Sequence, residues 1–315
     1  MAYYLGIDGG GSKTICAVGD EFTVLASAVS GPSNITRVGE SGARKALHQS
    51  ITEACNAAKV DPREVQCSCM GAAGAGRKEI ANVIQEIIAE VIPGKIEVVG
   101  DMEIALHSAF GLEPGLIVIA GTGSIAFGRD ANGKTARAGG WGFAISDEGS
   151  AHWIGRAAAA AVLRAADESA QRQSPDDRTA EQASRLFAEM KPIWKLESFE
   201  QLARTANANA DCAALFPAVL AANQAGDELA RSLLTQAGRE LARLADLVVR
   251  RLFPDPHFAV RVAMAGGVFR YAPMVREFFY NAVRTAHLQV ILNSEVVEPV
   301  HGALQLARRS SSSVA

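Results

Sequence analysis

A chain of 315 residues with 49% hydrophobic and 21% charged content is long enough for two domains of ordinary size, each with its own core. Its 31 basic and 34 acidic residues are well interspersed and leave a formal net charge of −3, which gives no electrostatic case for nucleic acid or an anionic membrane surface. No apolar stretch approaches the roughly eighteen residues of a spanning helix, and the chain opens on a strand with no basic n-region or cleavage site, so a cytoplasmic protein without a membrane partner is expected.

The first elements are the most informative. Tyr3-Tyr4-Leu5-Gly6-Ile7-Asp8 runs into Gly9-Gly10-Gly11-Ser12-Lys13-Thr14 and then Ile15-Cys16-Ala17-Val18, a strand, a glycine-rich turn and a second strand. Three glycines permit positive φ and close backbone approach to an anion, so successive N–H groups can face phosphate oxygens, with the Ser12 and Thr14 hydroxyls as further donors. Asp8, at the strand end, would hold Mg²⁺ through water. A hairpin that binds nothing is equally compatible with this turn taken alone. It is not a P-loop, because Ser12 stands where the lysine must be and a strand follows. Nor is it a dinucleotide fingerprint, since the turn has no G-x-G-x-x-G and opens no helix.

Thr23–Ala28 reads as a third strand, and Glu40–Lys59 places Ala43, Leu47, Ile51, Ala54 and Ala58 on one helical face. Val65–Met70 is a strand ending in a loop of small residues, Ile80–Ile92 a helix stopped by Pro93-Gly94, Ile96–Asp101 a strand and Met102–Phe110 a short helix. A new cycle begins with Leu116–Ala120, whose unbroken apolar run suits a strand buried on both faces. It ends in Gly121-Thr122-Gly123-Ser124 before Ile125–Gly128, so a strand, a Gly/Ser/Thr turn and a strand occur twice, suggesting two related domains. Glu148 to Leu252 reads as helical and alanine-rich, with a polar loop near 171–177. Strands return at Val260–Ala265, before Gly266-Gly267, and at Leu288–Asn293; helices start at Ala272 and Glu298, and the tail from Ser310 is expected to fray.

Cys16, Cys55, Cys67, Cys69 and Cys212 are odd in number and, apart from the one-residue spacing of Cys67 and Cys69, scattered, so they read as reduced packing residues. The six histidines form no metal-ligand spacing. No G-x-S-x-G elbow supports a serine hydrolase.

In this order the segments resemble the sugar-kinase/actin/heat-shock ATPase superfamily, and within it the BadF/BadG/BcrA/BcrD ATPase-like family with its amino-sugar kinases related to N-acetylglucosamine kinase. The similarity covers nearly the whole chain. Its sharpest part is Gly139-Gly140-Trp141-Gly142-Phe143-Ala144-Ile145-Ser146-Asp147-Glu148-Gly149-Ser150-Ala151-His152-Trp153; others are Asp8–Thr14, Pro32-Ser33-Asn34, Gly100-Asp101, Gly121–Ser124 and Ala265–Val268. The resemblance implies an α/β fold of two ribonuclease-H-like domains with an interdomain cleft. Residues 1–110 would form the first, joined by a returning helix in 298–315 that includes Gly302-Ala303-Leu304, and residues 111–297 the second with a helical insertion.

The implied activity is ATP- and Mg²⁺-dependent phosphorylation of an amino sugar, N-acetylglucosamine or glucosamine, at the 6-hydroxyl. Gly9, Gly10, Gly11, Ser12, Lys13 and Thr122 match phosphate-binding positions, and Gly266 and Gly267 match the loop against the adenosine. Asn34, Asp101, Ser124, Gly140, Trp141, Gly142 and Asp147 match sugar contacts, with Asp101 as catalytic base and Asp8 as the metal residue. The family resemblance permits a homodimer. In some members Asn or Thr precedes the catalytic acid where this chain has Gly100, and a cysteine near the sugar is Ala138 here. Ser146-Asp147-Glu148 is closer to bacterial glucosamine kinases.

The residues supply what phosphoryl transfer asks for: amides and a cation on the phosphates, and a carboxylate to take the hydroxyl proton. Each also has a plainer use. Asp101 could cap the helix from Met102, Asp147 and Glu148 could complement the dipole of the helix from Gly149, Asn34 could cap a turn, and Trp141 could be a core aromatic. Two other functions stay open: an ATPase that energises a partner redox enzyme, for which the cysteines provide no obvious cluster ligands, and a sugar sensor without catalysis.

Overall fold

The computed structural model describes residues 2–171, 178–208, 211–255 and 257–312. The polar loop expected near 171–177 lies, beyond Gln171, outside them. In chain order the first elements are β1 (Tyr3–Gly9), β2 (Thr14–Gly19), β3 (Val24–Ser30), α1 (Ile35–Ala58), β4 (Val65–Ala72), α2 (Lys78–Ala89), β5 (Lys95–Gly100) and α3 (Asp101–Phe110). There follow β6 (Gly115–Ala120), β7 (Ser124–Arg129), β8 (Thr135–Gly139), α4 (Ala151–Gln171), α5 (Arg178–Trp194), α6 (Phe199–Asn207), α7 (Phe216–Gln224) and α8 (Glu228–Leu252). The chain closes with β9 (Val260–Ala265), α9 (Gly267–Tyr271), α10 (Pro273–Ala286), β10 (Val290–Val297) and α11 (Pro299–Ser312). Contacts divide it into two compact units, one of Met1–Ile117, Phe127–Thr135 and Val297–Ala315, the other of Val118–Ala126 and Ala136–Val296.

In the first unit the sheet order is β3-β2-β1-β4-β5. β1 is antiparallel to β2 and parallel to β4, which is parallel to β5. Successive side chains of a strand point to opposite faces, and both faces are covered. Leu5, Ile7, Cys16, Val18 and Met70 pack with Leu47 and Ile51 of α1 and Ile84, Ile87 and Ile88 of α2. Tyr4, Ala17, Cys67 and Cys69 pack with Ile104 of α3 and Val300, Ala303 and Leu304 of α11. The last helix therefore returns to this sheet, and the Ser108 hydroxyl donates to the Glu298 carbonyl at 2.8 Å beside its start.

The second sheet runs β10-β9-β6-β7-β8. Numbered from its own first strand it has the order of the first sheet, so the repeated strand-turn-strand unit marks a repeated topology. Leu116, Ile117, Val118 and Ala120 of β6 are fully buried, as their unbroken apolar run predicts. The long helix α8 buries Leu233, Leu234, Leu241, Ala245, Val248 and Val249, and its start is capped by Asp227, whose Oδ1 accepts from the Ala230 N–H at 2.8 Å.

Four local readings are corrected. Asp101 opens α3 instead of closing β5. The short strand β8 carried too few large apolar residues to be seen, although the Asp130–Gly133 turn before it, with Gly133 at φ +79°, was readable. The short helix α9 follows Gly266. The tail does not fray from Ser310: that residue is helical, its hydroxyl donates to Glu97 Oε2 at 2.5 Å and its carbonyl accepts from Lys95 Nζ at 3.2 Å. All five cysteines are free and buried, and among the described residues no helix is long and apolar enough to cross a membrane.

Candidate active site

The first glycine turn closes with the Gly10 N–H donating to the Lys13 carbonyl at 3.0 Å, and the Ser33 N–H donates to the Gly10 carbonyl at 3.3 Å, bracing the turn from the segment before α1. None of the three glycines takes a positive φ, which corrects the reason for their presence. What Gly9 provides is room: a Cβ there would run into Met70 and stand 2.8 Å from Ser33 Oγ. Thr14 is also corrected as a phosphate donor. Fully buried, its hydroxyl donates to the Gly31 carbonyl at 2.8 Å and lies 2.8 Å from Ser33 Oγ, so it is used within the protein. Ser12 and Lys13 stand exposed at the tip.

Asp8 and Asp101 are brought together by topology. β4 separates β1 from β5, with Asp8 opposite Gly71 and Ala72 opposite Gly100, so Asp8 near the end of β1 and Asp101 at the start of α3 lie at neighbouring levels of one sheet edge. Burial, then the Asp101 charge, with a smaller push from Glu298 against the pull of Lys13, raise the Asp8 carboxyl to about 7. Asp101 is raised by burial against the opposing N–H bonds of Met102 and of its own backbone, with Glu103 also raising it. Its Oδ1 accepts from the Met102 N–H at 2.9 Å, while Glu103 Oε1 accepts from the Gly100 N–H at 3.0 Å and serves the helix start. The charges acting on Asp8 are thus two acids, Asp101 and Glu298, against Lys13, and a carboxylate oxygen in that field suits a divalent cation such as Mg²⁺ held through water. Glu298 lies too far along the chain for sequence spacing to have associated it with Asp8.

Asn34 is the N-cap of α1: its Oδ1 accepts from the Thr36 N–H at 3.1 Å and the Thr36 hydroxyl at 2.7 Å. The plainer role is therefore filled, and the side-chain amide nitrogen is what the cap leaves for a ligand.

In the second unit the turn after β6 docks on the start of α4. The Ala151 N–H donates to the Gly121 carbonyl at 2.9 Å, the His152 N–H donates to the Thr122 carbonyl at 3.3 Å, and Ser150 Oγ accepts from the Trp153 N–H at 3.1 Å. These bonds occupy the first amides of α4, so the dipole of that helix is already answered by carbonyls. Ser124 is buried and its hydroxyl donates to the Glu148 carbonyl at 2.8 Å. A Cβ on Gly123 would meet Asp147 Oδ2 at 2.7 Å, and Asp147 Oδ1 accepts from the Gly142 N–H at 3.4 Å. Gly266, at φ +99°, lies so close to the Ala120 carbonyl that any side chain would collide. Thr122, Ser124, Gly142, Asp147 and Gly266 are thus one constellation.

Between β8 and α4 the backbone takes positive φ at Gly139 (+74°), Gly140 (+68°), Gly142 (+106°), Asp147 (+65°) and Gly149 (+81°). The loop that results exposes Trp141 (69%), Phe143 and Ile145 (82%), so Trp141 is not a core aromatic. Asp147 is buried under this loop in the left-handed region, a conformation an aspartate tolerates at some cost. His152 lies against Phe143 with ring centroids 4.6 Å apart and the planes tilted by 44°, and no cluster of three or more His, Cys, Asp or Glu that could hold a metal ion occurs among the described residues.

Comparison with known proteins adds identity to this geometry. A Clostridium acetobutylicum protein named N-acetylmuramic acid/N-acetylglucosamine kinase is 33% identical over 98% of this chain and 99% of its own. A Dictyostelium discoideum N-acetyl-D-glucosamine kinase is 27% identical over 98% of each. A solved Chromobacterium violaceum structure, provisionally assigned as an N-acetylglucosamine kinase, superposes with a TM-score of 0.76 at 25% identity, covering 98% of this chain and 99% of that one. Residues 5–307 match the BadF/BadG/BcrA/BcrD ATPase family, and the chain belongs to it.

Proposed function

We propose that the protein transfers the γ-phosphoryl group of ATP to the 6-hydroxyl of an amino sugar, N-acetylglucosamine or glucosamine. The observation that carries this reading is the coupled pair Asp8 and Asp101 beside the first glycine turn, in a chain whose relatives are named as amino-sugar kinases. Asp101, held at the start of α3 with its Oδ1 accepting from the Met102 N–H, serves as the base that accepts the sugar hydroxyl's proton while the oxygen attacks phosphorus. Backbone amides of Gly9 to Gly11 and the side chains of Ser12 and Lys13 hold phosphate oxygens, with Thr122 a further phosphate contact. Asp8 would hold Mg²⁺ through water, and the cation would supply the charge that neutralises the phosphates. Gly266 and Gly267 receive the adenosine, while Asn34, Ser124, Gly140, Trp141, Gly142 and Asp147 orient the sugar.

The test is a coupled assay with Mg-ATP and, side by side, glucosamine, N-acetylglucosamine, N-acetylmannosamine, N-acetylmuramic acid and glucose. Turnover of an amino sugar at its 6-hydroxyl is expected, with the position read by NMR of the product. Phosphorylation of none of them would end the proposal.

A further inference from the structure

The loop from Gly140 to Ser146 is apolar at its tip, yet it is flanked by two cations. Arg137 of β8 stacks over the Trp141 ring at 4.3 Å, and its Nη1 lies 3.4 Å from the Gly140 carbonyl. Arg156 of α4 reaches the Ala144 carbonyl, also at 3.4 Å. Both distances exceed the usual range for an N–H···O bond, and among the described residues no carboxylate pairs with either guanidinium. The backbone of Arg137 is anchored, because Arg251 Nη1 donates to its carbonyl at 2.7 Å. The result is a held stem whose guanidinium carbon lies over the exposed tryptophan, 4.3 Å from its ring centroid, with most of its donors unengaged.

A neutral N-acetylhexosamine gives such a fork only uncharged acceptors, hydroxyls, the ring oxygen and the acetamido carbonyl, which asparagine or serine would serve as well. A carboxylate offers the paired oxygens that a guanidinium matches in shape and charge. Resting on the amino-sugar kinase reading, we propose that Arg137 is a specificity-determining residue that receives the carboxylate of an acidic amino sugar, of the N-acetylmuramic acid type. Arg156 adds positive potential from the other side of the loop. Trp141 holds the guanidinium over its ring by cation–π attraction and needs no charge of its own to do so.

Steady-state kinetics of the full chain with Mg-ATP test this on N-acetylmuramic acid and N-acetylglucosamine together. Arg137→Gln is expected to lower kcat/KM for the acidic sugar about tenfold or more beyond whatever it costs the neutral one, chiefly through KM. Arg137→Lys should restore part of the difference. With the unaltered protein, raising the ionic strength should raise KM for N-acetylmuramic acid more than for N-acetylglucosamine. Equal losses on both sugars, or an unaltered protein that phosphorylates N-acetylglucosamine but not N-acetylmuramic acid, would overturn the assignment and leave the kinase reading intact. Failure on every amino sugar would overturn both.

Discussion

Asp8 keeps its proton to about pH 7 because burial and the neighbouring Asp101 charge both penalise its carboxylate. In the unfolded chain the group ionises near its ordinary value of 3.8, so between about pH 4 and 7 the unfolded state loses a proton that the native state retains. Its contribution to stability is therefore most favourable at low pH, falls through that window and levels off above it. Asp8→Asn should raise Tm in calorimetry, by more at pH 8 than at pH 5, while depressing kinase turnover; an unchanged Tm at pH 8 would show that the native carboxylate is not penalised. For the same reason the Mg²⁺ concentration needed for half-maximal activity should increase as pH drops below about 7. Asp101→Asn is expected to lower kcat on the order of 10²–10⁴-fold with ATP binding retained by calorimetric titration. Near-normal turnover would remove it as the base.

At the scale of elements, helix starts would do two jobs in the proposed site, capping and ligand binding. The cap of α1 uses Asn34 Oδ1, so capping and ligand binding can be separated by substitution. Asn34→Ser should keep the cap and the Tm, whereas Asn34→Ala should cost about 1 kcal/mol in denaturant melts. A rise in sugar KM for the serine variant at unchanged stability would assign the amide to the substrate. Gly266 combines φ +99° with a backbone contact that leaves no room for a methyl group. Gly266→Ala should destabilise the protein by roughly 1–3 kcal/mol and raise KM for ATP more than KM for the sugar. An equal effect on both substrates would detach this turn from the nucleotide.

On the scale of the whole molecule, one strand order is used twice, each time with a glycine-bearing turn after its first strand. A parallel pairing such as β1 with β4 leaves strand ends and helix starts along one edge, which is where Asp8 and Asp101 meet. Mg-ATP binding to the native state alone should raise its stability by about 2.7 kcal/mol at a hundredfold excess over Kd. Thermal melts with Mg-ATP, Mg²⁺ alone and sugar alone would measure this, and no shift with Mg-ATP would contradict nucleotide binding.

The sequence by itself determined the element order of the first sheet and its helices, the buried strand β6 and the family block from Gly139 to Trp153, because apolar periodicity and glycine spacing are local signals. It also pointed to Asp8 and Asp101 individually. Only the tertiary structure decided that the two share one field with Glu298, that Thr14 is spent on Gly31 and Ser33, and that Gly9 is required for packing instead of for its φ. It likewise set Arg137 over Trp141 with no carboxylate paired to it among the described residues. The physical reason is that desolvation, steric room and charge coupling depend on atoms far apart along the chain, which folding alone brings within range.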